Sequence, residues 1–282
     1  MCSSDLGIMK PYFCFDFTLC PPTSSFLETL PENIPLINPK PKTDPKNLCP
    51  YKIPTVKEII KRIDSASYGI DKHKFISDVF ECGAIAISNA VDFTQNTERE
   101  ERYRQIINGY PKPEQQLLSE VFGMIYLLLS SVVYDDGAFH DYLGELFMLC
   151  NQGNKTTGQF FTPYHISHFM AKVAIDDGVI EKTKDDEIIS ISDPCCGGGG
   201  MLIAALDTLK NDYGVNYARN CFILGADIDI RCVHMTYLQL ALAGVPAIVR
   251  HQNSLSFKLW STWKTPAFIF QYPRFRKFEN YV

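Results

Sequence analysis

The sequence predicts a parallel α/β domain in its C-terminal half, preceded by a helical module. Three observations carry this. A β-type run over 187–192 (EIISIS) leads straight into a glycine cluster and then an apolar helix. Two further strand segments follow, with a helix between them, in the alternation that builds a parallel sheet. Before any of them, about five segments show apolar residues at helical spacing, too many for a mere lead-in.

Composition bounds the rest. The 282 residues include 46% hydrophobic and 21% charged side chains, which is ordinary for a globular protein with a sizeable core. A net charge of −5 argues against a chain that grips nucleic acid unaided, because such proteins carry a basic face. The ten cysteines contain no CxxC, only the adjacent pair Cys195-Cys196, so no metal site is expected. Reduced thiols in a cytoplasmic protein are the expectation. The longest strongly apolar stretch, Phe122 to Val133, is too short to span a bilayer and reads as a core helix, with no membrane association.

Residues 1–54 hold more than half of the prolines and are expected to be extended and irregular. The first six, MCSSDL, read either like the translation of a sequencing-adapter end or as an ordinary disordered terminus, and carry no fold signal. A helical module is expected over 55–157. Its first helix carries Thr55 as N-cap and Ile59, Ile60 and Ile63 on one side. Further helices are expected over Phe75–Val91, Thr97–Ile107, Glu114–Val133 and Phe139–Leu149. The α/β domain is expected over 158–282. It begins with a helix over Pro163–Ile175, capped by Thr162 with Pro163 at its first position. After the glycine cluster come a helix (MLIAALDTLK), a strand at Cys221–Asp227, a helix at Ile230–Ala243 and a strand, AIVRH.

The strongest chemical signal is Asp193-Pro194-Cys195-Cys196-Gly197-Gly198-Gly199-Gly200, lying between a strand and a helix. Glycines there allow positive φ and close backbone approach to a ligand, and the helix start presents free N–H groups. The dinucleotide pattern GxGxxG would need glycine at 202, where Leu202 stands, and the Gly-Lys-Ser/Thr of a P-loop is absent. Asp227 ends the next strand, where a carboxylate can accept both hydroxyls of a ribose. The alternative there is a tight turn with Asp227 or Asp229 capping a helix. In Gly158-Gln159-Phe160-Phe161-Thr162-Pro163, the two phenylalanines either cover an adenine or form a hydrophobic staple.

Together, GQFFTP, DPCCGGGG, GADI and HQNSL resemble the N6-adenine DNA methylase family, especially the modification subunits of type I restriction systems. The family's strings are close to G-Q/E-F/Y-Y/F-T-P, D-P-A-C-G-S-G-G and G-x-E-I, and FHDYLGELFML (139–149) is similar to its preceding helix. The resemblance covers about 138–255. It implies a Rossmann-like S-adenosylmethionine-dependent methyltransferase domain behind a helical module. By it, Gln159, Phe160, Phe161, Thr162 and Pro163, with the loop Asp193, Cys196, Gly197, Gly198 and Gly199, would wrap the methionine end of S-adenosylmethionine. Asp227 would hold the ribose and Asn253 would lie beside the adenine. The implied partners are DNA, reached through a specificity subunit, and other restriction–modification subunits.

The same family carries an Asn/Asp-Pro-Pro-Tyr/Phe tetrapeptide that binds and stacks on the flipped adenine, and no such string occurs here. Pro21-Pro22 lacks its polar and aromatic members, and Gln271-Tyr272-Pro273-Arg274-Phe275 is a poor echo. The catalytic residues are therefore unassigned, and the alternative is an inactive relative that binds the cofactor or scaffolds. The tail is expected to form an edge strand and a basic surface segment. Only about thirty residues follow the strand near Val249, too few for a full sheet, which fits a truncated reading frame and a shortened, non-catalytic relative equally well.

Overall fold

A computed structural model of the chain describes residues 52–66, 71–134, 139–150, 161–176, 178, 180, 181 and 187–279. The proline-rich segment before Lys52 and the Gly158, Gln159 and Phe160 positions lie outside the described residues.

Five helices come first: α1 (Val56–Ala66), α2 (Lys72–Asn89), α3 (Asn96–Asn108), α4 (Lys112–Tyr134) and α5 (Tyr142–Cys150). Thr55 caps α1 in a reciprocal box. The Glu58 N–H donates to Thr55 Oγ1 at 3.2 Å and the Thr55 N–H to Glu58 Oε2 at 2.8 Å. Val56, Ile59 and Ile63 then fall on one buried stripe, as 3.6-residue periodicity requires. By length and composition α4 could cross a bilayer, since it extends well before the apolar stretch read from the sequence. Its apolar side (Leu117, Leu118, Val121, Phe122, Ile125, Leu129) is instead buried in the protein core.

Helix α6 (Tyr164–Ala174) precedes the sheet. Ser167 and Ala171 are its buried residues, and Ile166, Phe169, Met170 and Val173 are exposed. Strands β1 (Ile189–Asp193), β2 (Cys221–Asp227), β3 (Ala247–Asn253) and β4 (Lys258–Lys264) form one sheet in sequence order. The first three are parallel, and β4 returns antiparallel to β3. The crossovers run through α7 (Gly200–Asp207, extended by a π-helical turn, Thr208–Asp212), then α8 (Tyr217–Asn220), and through α9 (Ile230–Leu242). Central strands buried on both faces should be apolar throughout. In β2, Cys221 and Ile223 join the main core with the helices, and Phe222 joins a second cluster on the other face.

The tail departs from expectation. Its strand is the edge strand β4, but residues 266–278 form α10 (Pro266–Phe270), α11 (Tyr272–Phe275) and a 3₁₀ turn (Arg276–Phe278) rather than a surface segment. Phe268, Phe275 and Phe278 pack with Phe222 and Ile248 to cover that second face. The basic residues point the eye to solvent, yet the phenylalanines between them fill the core.

The helices and the sheet share one continuous core, locked by a buried cation. Arg99 donates to Ser88 Oγ, to Gln95 Oε1 at 3.1 Å and to the Thr262 carbonyl at 2.8 Å. It pairs with Asp92 at 3.4 Å and stacks 4.0 Å from the Trp263 ring. Removing one member of a buried pair leaves the other charge unpaired in low dielectric. Arg99→Ala should therefore cost about 3 kcal/mol of unfolding free energy, read as a lower urea midpoint with an unchanged slope.

Candidate cofactor-binding site

The site forms where β1 and β2 end. Asp193 Oδ1 accepts from the Cys195 N–H at 2.9 Å, which turns the chain sharply out of β1. The Cys196 N–H then donates to the Ala226 carbonyl at 2.9 Å, laying the loop across the end of β2. Gly197 and Gly199 adopt φ of 54° and 93°, a region that side-chain-bearing residues rarely enter. The loop ends at the start of α7, whose first N–H groups lack intrahelical acceptors.

Side chains from β2 and α9 hold the loop through further hydrogen bonds. Asp227 Oδ2 accepts from the Gly197 N–H at 2.9 Å, and its Oδ1 accepts from the Asp229 N–H at 2.8 Å. From α9, Thr236 Oγ1 donates to the Gly197 carbonyl at 2.9 Å and Gln239 Nε2 to the Gly198 carbonyl at 2.7 Å. The same Gln239 amide also donates to Asp141 Oδ1 at 2.8 Å. Asp229, not Asp227, caps α9, accepting from the Arg231 N–H at 2.9 Å.

These elements enclose a cavity of about 250 Å³. Its walls include Asp141, Phe161, Thr162, Asp193, Cys196 and Asp227, with the backbone of Gly197, Gly198 and Gly200. Among the described residues, three carboxylates and no Lys, Arg or His line it. The Cys196 thiol is pushed up to about 12 by burial, so it stays a neutral packing group. Burial also raises the Asp141 carboxyl above the ordinary carboxylate range, against the pull of its bonds to Gln239 and the Gly144 N–H.

The structure thus brings together Phe161, Thr162, Asp193, Cys196, Gly197, Gly198 and Asp227 from the residues the sequence singled out. Two details differ from expectation. Thr162 does not cap α6: Pro163 is the N-cap, with no side-chain bond, and its carbonyl accepts from the Ile166 and Ser167 N–H groups. Asn253 ends β3 outside the cavity walls, and its Oδ1 accepts from the Leu255 and Ser256 N–H groups at 3.0 Å each. Its neighbour Ser254 donates to the Pro194 carbonyl, which ties that turn to the glycine loop. Sequence reading passed over Asp141, Thr236 and Gln239. For Asp141 the signal was its place in the family-like 139–149 string, and for Thr236 and Gln239 only a polar residue within an apolar helix.

The sequence profile of the N-6 DNA methylase family matches residues 137–280, half of the chain, and spans every wall of this cavity. The chain belongs to that family. Membership makes S-adenosylmethionine the cofactor. Among solved structures, a Listeria monocytogenes protein assigned to the class I S-adenosylmethionine-dependent methyltransferases is similar at 19% identity and a TM-score of 0.34. That alignment covers 65% of this chain and 54% of the Listeria protein, so the chain spans about half of its length. No curated protein matches.

The walls fit the cofactor. The three carboxylates among the described walls disfavour phosphates and suit a ligand that carries a sulfonium and an ammonium. The loop geometry also accounts for the family's serine in place of Gly198. A methyl group built there meets nothing closer than 3.6 Å, whereas one built on Gly200 comes within 2.8 Å of Asp141 Oδ2. Gly198→Ser should therefore leave the melting temperature and S-adenosylmethionine affinity near wild type. Gly200→Ala should lower both, by about 1–3 kcal/mol of stability, in thermal unfolding and calorimetric titration.

Proposed function

We propose that the cavity holds S-adenosylmethionine for methyl transfer to the N6 amino group of adenine in DNA. The chain would act as a modification subunit of a restriction–modification-like system. The observation that carries the reading is the glycine loop, bonded through Gly197 to Asp227, in a cavity whose charged walls among the described residues are carboxylates. When bound, the cofactor supplies an electrophilic methyl group on its sulfonium. Each carboxylate oxygen has room for a second hydrogen bond, so Asp227 can accept ribose hydroxyls while still holding the loop. The side-chain-free backbone of 197–199 and the Phe161–Thr162 wall would enclose the methionine end, with Gln159, Phe160 and Pro163 alongside. Asn253 keeps its amide NH₂ beyond the turn it closes and would lie near the adenine. A neutral Cys196 offers no thiolate, which favours direct transfer over a covalent relay.

An acidic chain needs help with DNA phosphates, so a specificity subunit and other restriction–modification subunits are the proposed partners. Cys82, Cys150, Cys195, Cys196 and Cys221 are free thiols, which supports a reducing, cytoplasmic setting. A second reading, a cofactor-binding relative without transfer, draws support from the tail. There the poor echo of the tetrapeptide is used for packing: Gln271 Nε2 donates to the Ala218 carbonyl at 3.2 Å and Phe275 is fully buried.

Calorimetric titration separates these readings in two steps. Wild type should bind S-adenosylmethionine, and Asp227→Ala should weaken binding about 100-fold, the equivalent of two lost charge-assisted hydrogen bonds. No binding by folded wild type would overturn both readings. Labelled methyl transfer to DNA, but not to tRNA or protein, with partner subunits present would support the first reading. Binding without transfer to any substrate would support the second.

A further inference from the structure

Asp141 lies in the 139–149 string that resembles the family's preceding helix, but the resemblance gave it no role in the site. It directly precedes α5, in the helical part of the chain, and is only 6% exposed, yet it lines the cavity. Capping explains one of its oxygens. Oδ1 accepts from the Gly144 N–H at 3.0 Å and from Gln239 Nε2 at 2.8 Å. No hydrogen bond reaches Oδ2, which faces Gly200, another wall of the cavity.

The surroundings are cut to fit this oxygen. A methyl group on Gly200 would come within 2.8 Å of Oδ2, and one on Gly144 closer still. Two chain segments far apart in sequence therefore dispense with side chains where the carboxylate sits. Asp141 as a residue is buried, while Oδ2, which accepts no hydrogen bond from the protein, keeps its access to the cavity and is free to receive a donor or a cation there. Among the described residues, no Lys, Arg or His is a cavity wall that could supply one. Simple capping of α5 would be served as well by an exposed aspartate, and would not require Oδ2 to face the loop at Gly200.

We propose that Asp141 receives the methionine ammonium of S-adenosylmethionine through Oδ2, coupling the helical part of the chain to cofactor binding. The inference rests on the cofactor reading above. The ammonium donates up to three hydrogen bonds and supplies the positive charge that the cavity lacks. The Gln239 bridge from Asp141 Oδ1 to the Gly198 carbonyl keeps the carboxylate and the loop in register.

The test is a cycle of calorimetric titrations with S-adenosylhomocysteine and its deaminated analogue, on wild type, Asp141→Asn and Asp193→Asn. Wild type should prefer the amine-bearing ligand by about 10-fold or more, the worth of one charge-assisted hydrogen bond. Asp141→Asn should bind the two ligands alike and melt at or above the wild-type temperature without ligand, because it removes a buried unpaired charge. Asp193→Asn should keep the preference, and if Asp141→Asn does not fold, Asp141→Glu, which retains the carboxylate but displaces it, should reduce the preference while Asp193→Asn does not. A preference that survives in Asp141→Asn, or that vanishes in Asp193→Asn instead, overturns the inference. If wild type binds both ligands equally, the ammonium contact fails while the cofactor reading stands. If wild type binds neither, the cofactor reading fails and this inference with it.

Discussion

The whole site depends on one constraint: the backbone of Gly197–Gly199 must pass between two carboxylates that come from opposite sides. Asp227 holds it from the end of β2 through the Gly197 N–H, and Asp141 holds it from the helical part through Gln239 and the Gly198 carbonyl. Each contact fixes something else. Reaching Asp227 requires positive φ at Gly197, and reaching Asp141 requires that nothing project from Gly200. Thr236 and Gln239 can serve the same loop because they lie three residues apart on α9, on one face of the helix. The bridge adds low-dielectric electrostatics to this geometry, so the carboxylates act strongly on whatever enters the cavity.

The rest of the fold supports that arrangement. The parallel order β1-β2-β3 places the ends of β1 and β2, which carry Asp193 and Asp227, side by side. This is where open α/β sheets bind ligands. The helical part is packed onto α9 and β4 rather than tethered beside them, and Arg99, wedged under Trp263 and bonded to the Thr262 carbonyl, is the clearest sign of it. Because Asp141 comes from that helical part, the cavity is built from both, and loosening their contact should be felt at the loop. The tail closes the other sheet face with Phe268, Phe275 and Phe278, away from the cavity walls.

Much of this was legible in the sequence, for physical reasons. The glycine cluster and Asp227 announce themselves because strand, turn and strand-end acid are local patterns, set by backbone sterics and by period-2 burial. The helices before the sheet are legible through their apolar spacing. Asp141 and Gln239 were not legible. They are 98 residues apart and meet only after the helical part docks on α9, and each alone reads as a cap or a solvated polar residue. The tail misled because Arg274, Arg276 and Lys277 alternate with phenylalanines. A short helix and a 3₁₀ turn place Phe275 and Phe278 inward and leave Arg276 and Lys277 exposed. Thr162 and Pro163 misled by one position, because a Thr-Pro pair is a good N-cap and first-residue signal, but Pro163 itself takes the capping role here.

The most direct test of this account is amide hydrogen exchange read by mass spectrometry, with and without S-adenosylmethionine. The account predicts that the cofactor slows exchange together in three separated stretches: 193–200, 225–229 and 141–146. Each holds a carboxylate that meets the same ligand, and exchange reports local opening free energy. Protection in the first two alone would detach Asp141 and the helical part from the site. Binding that leaves all three unchanged would contradict the placement of the cofactor.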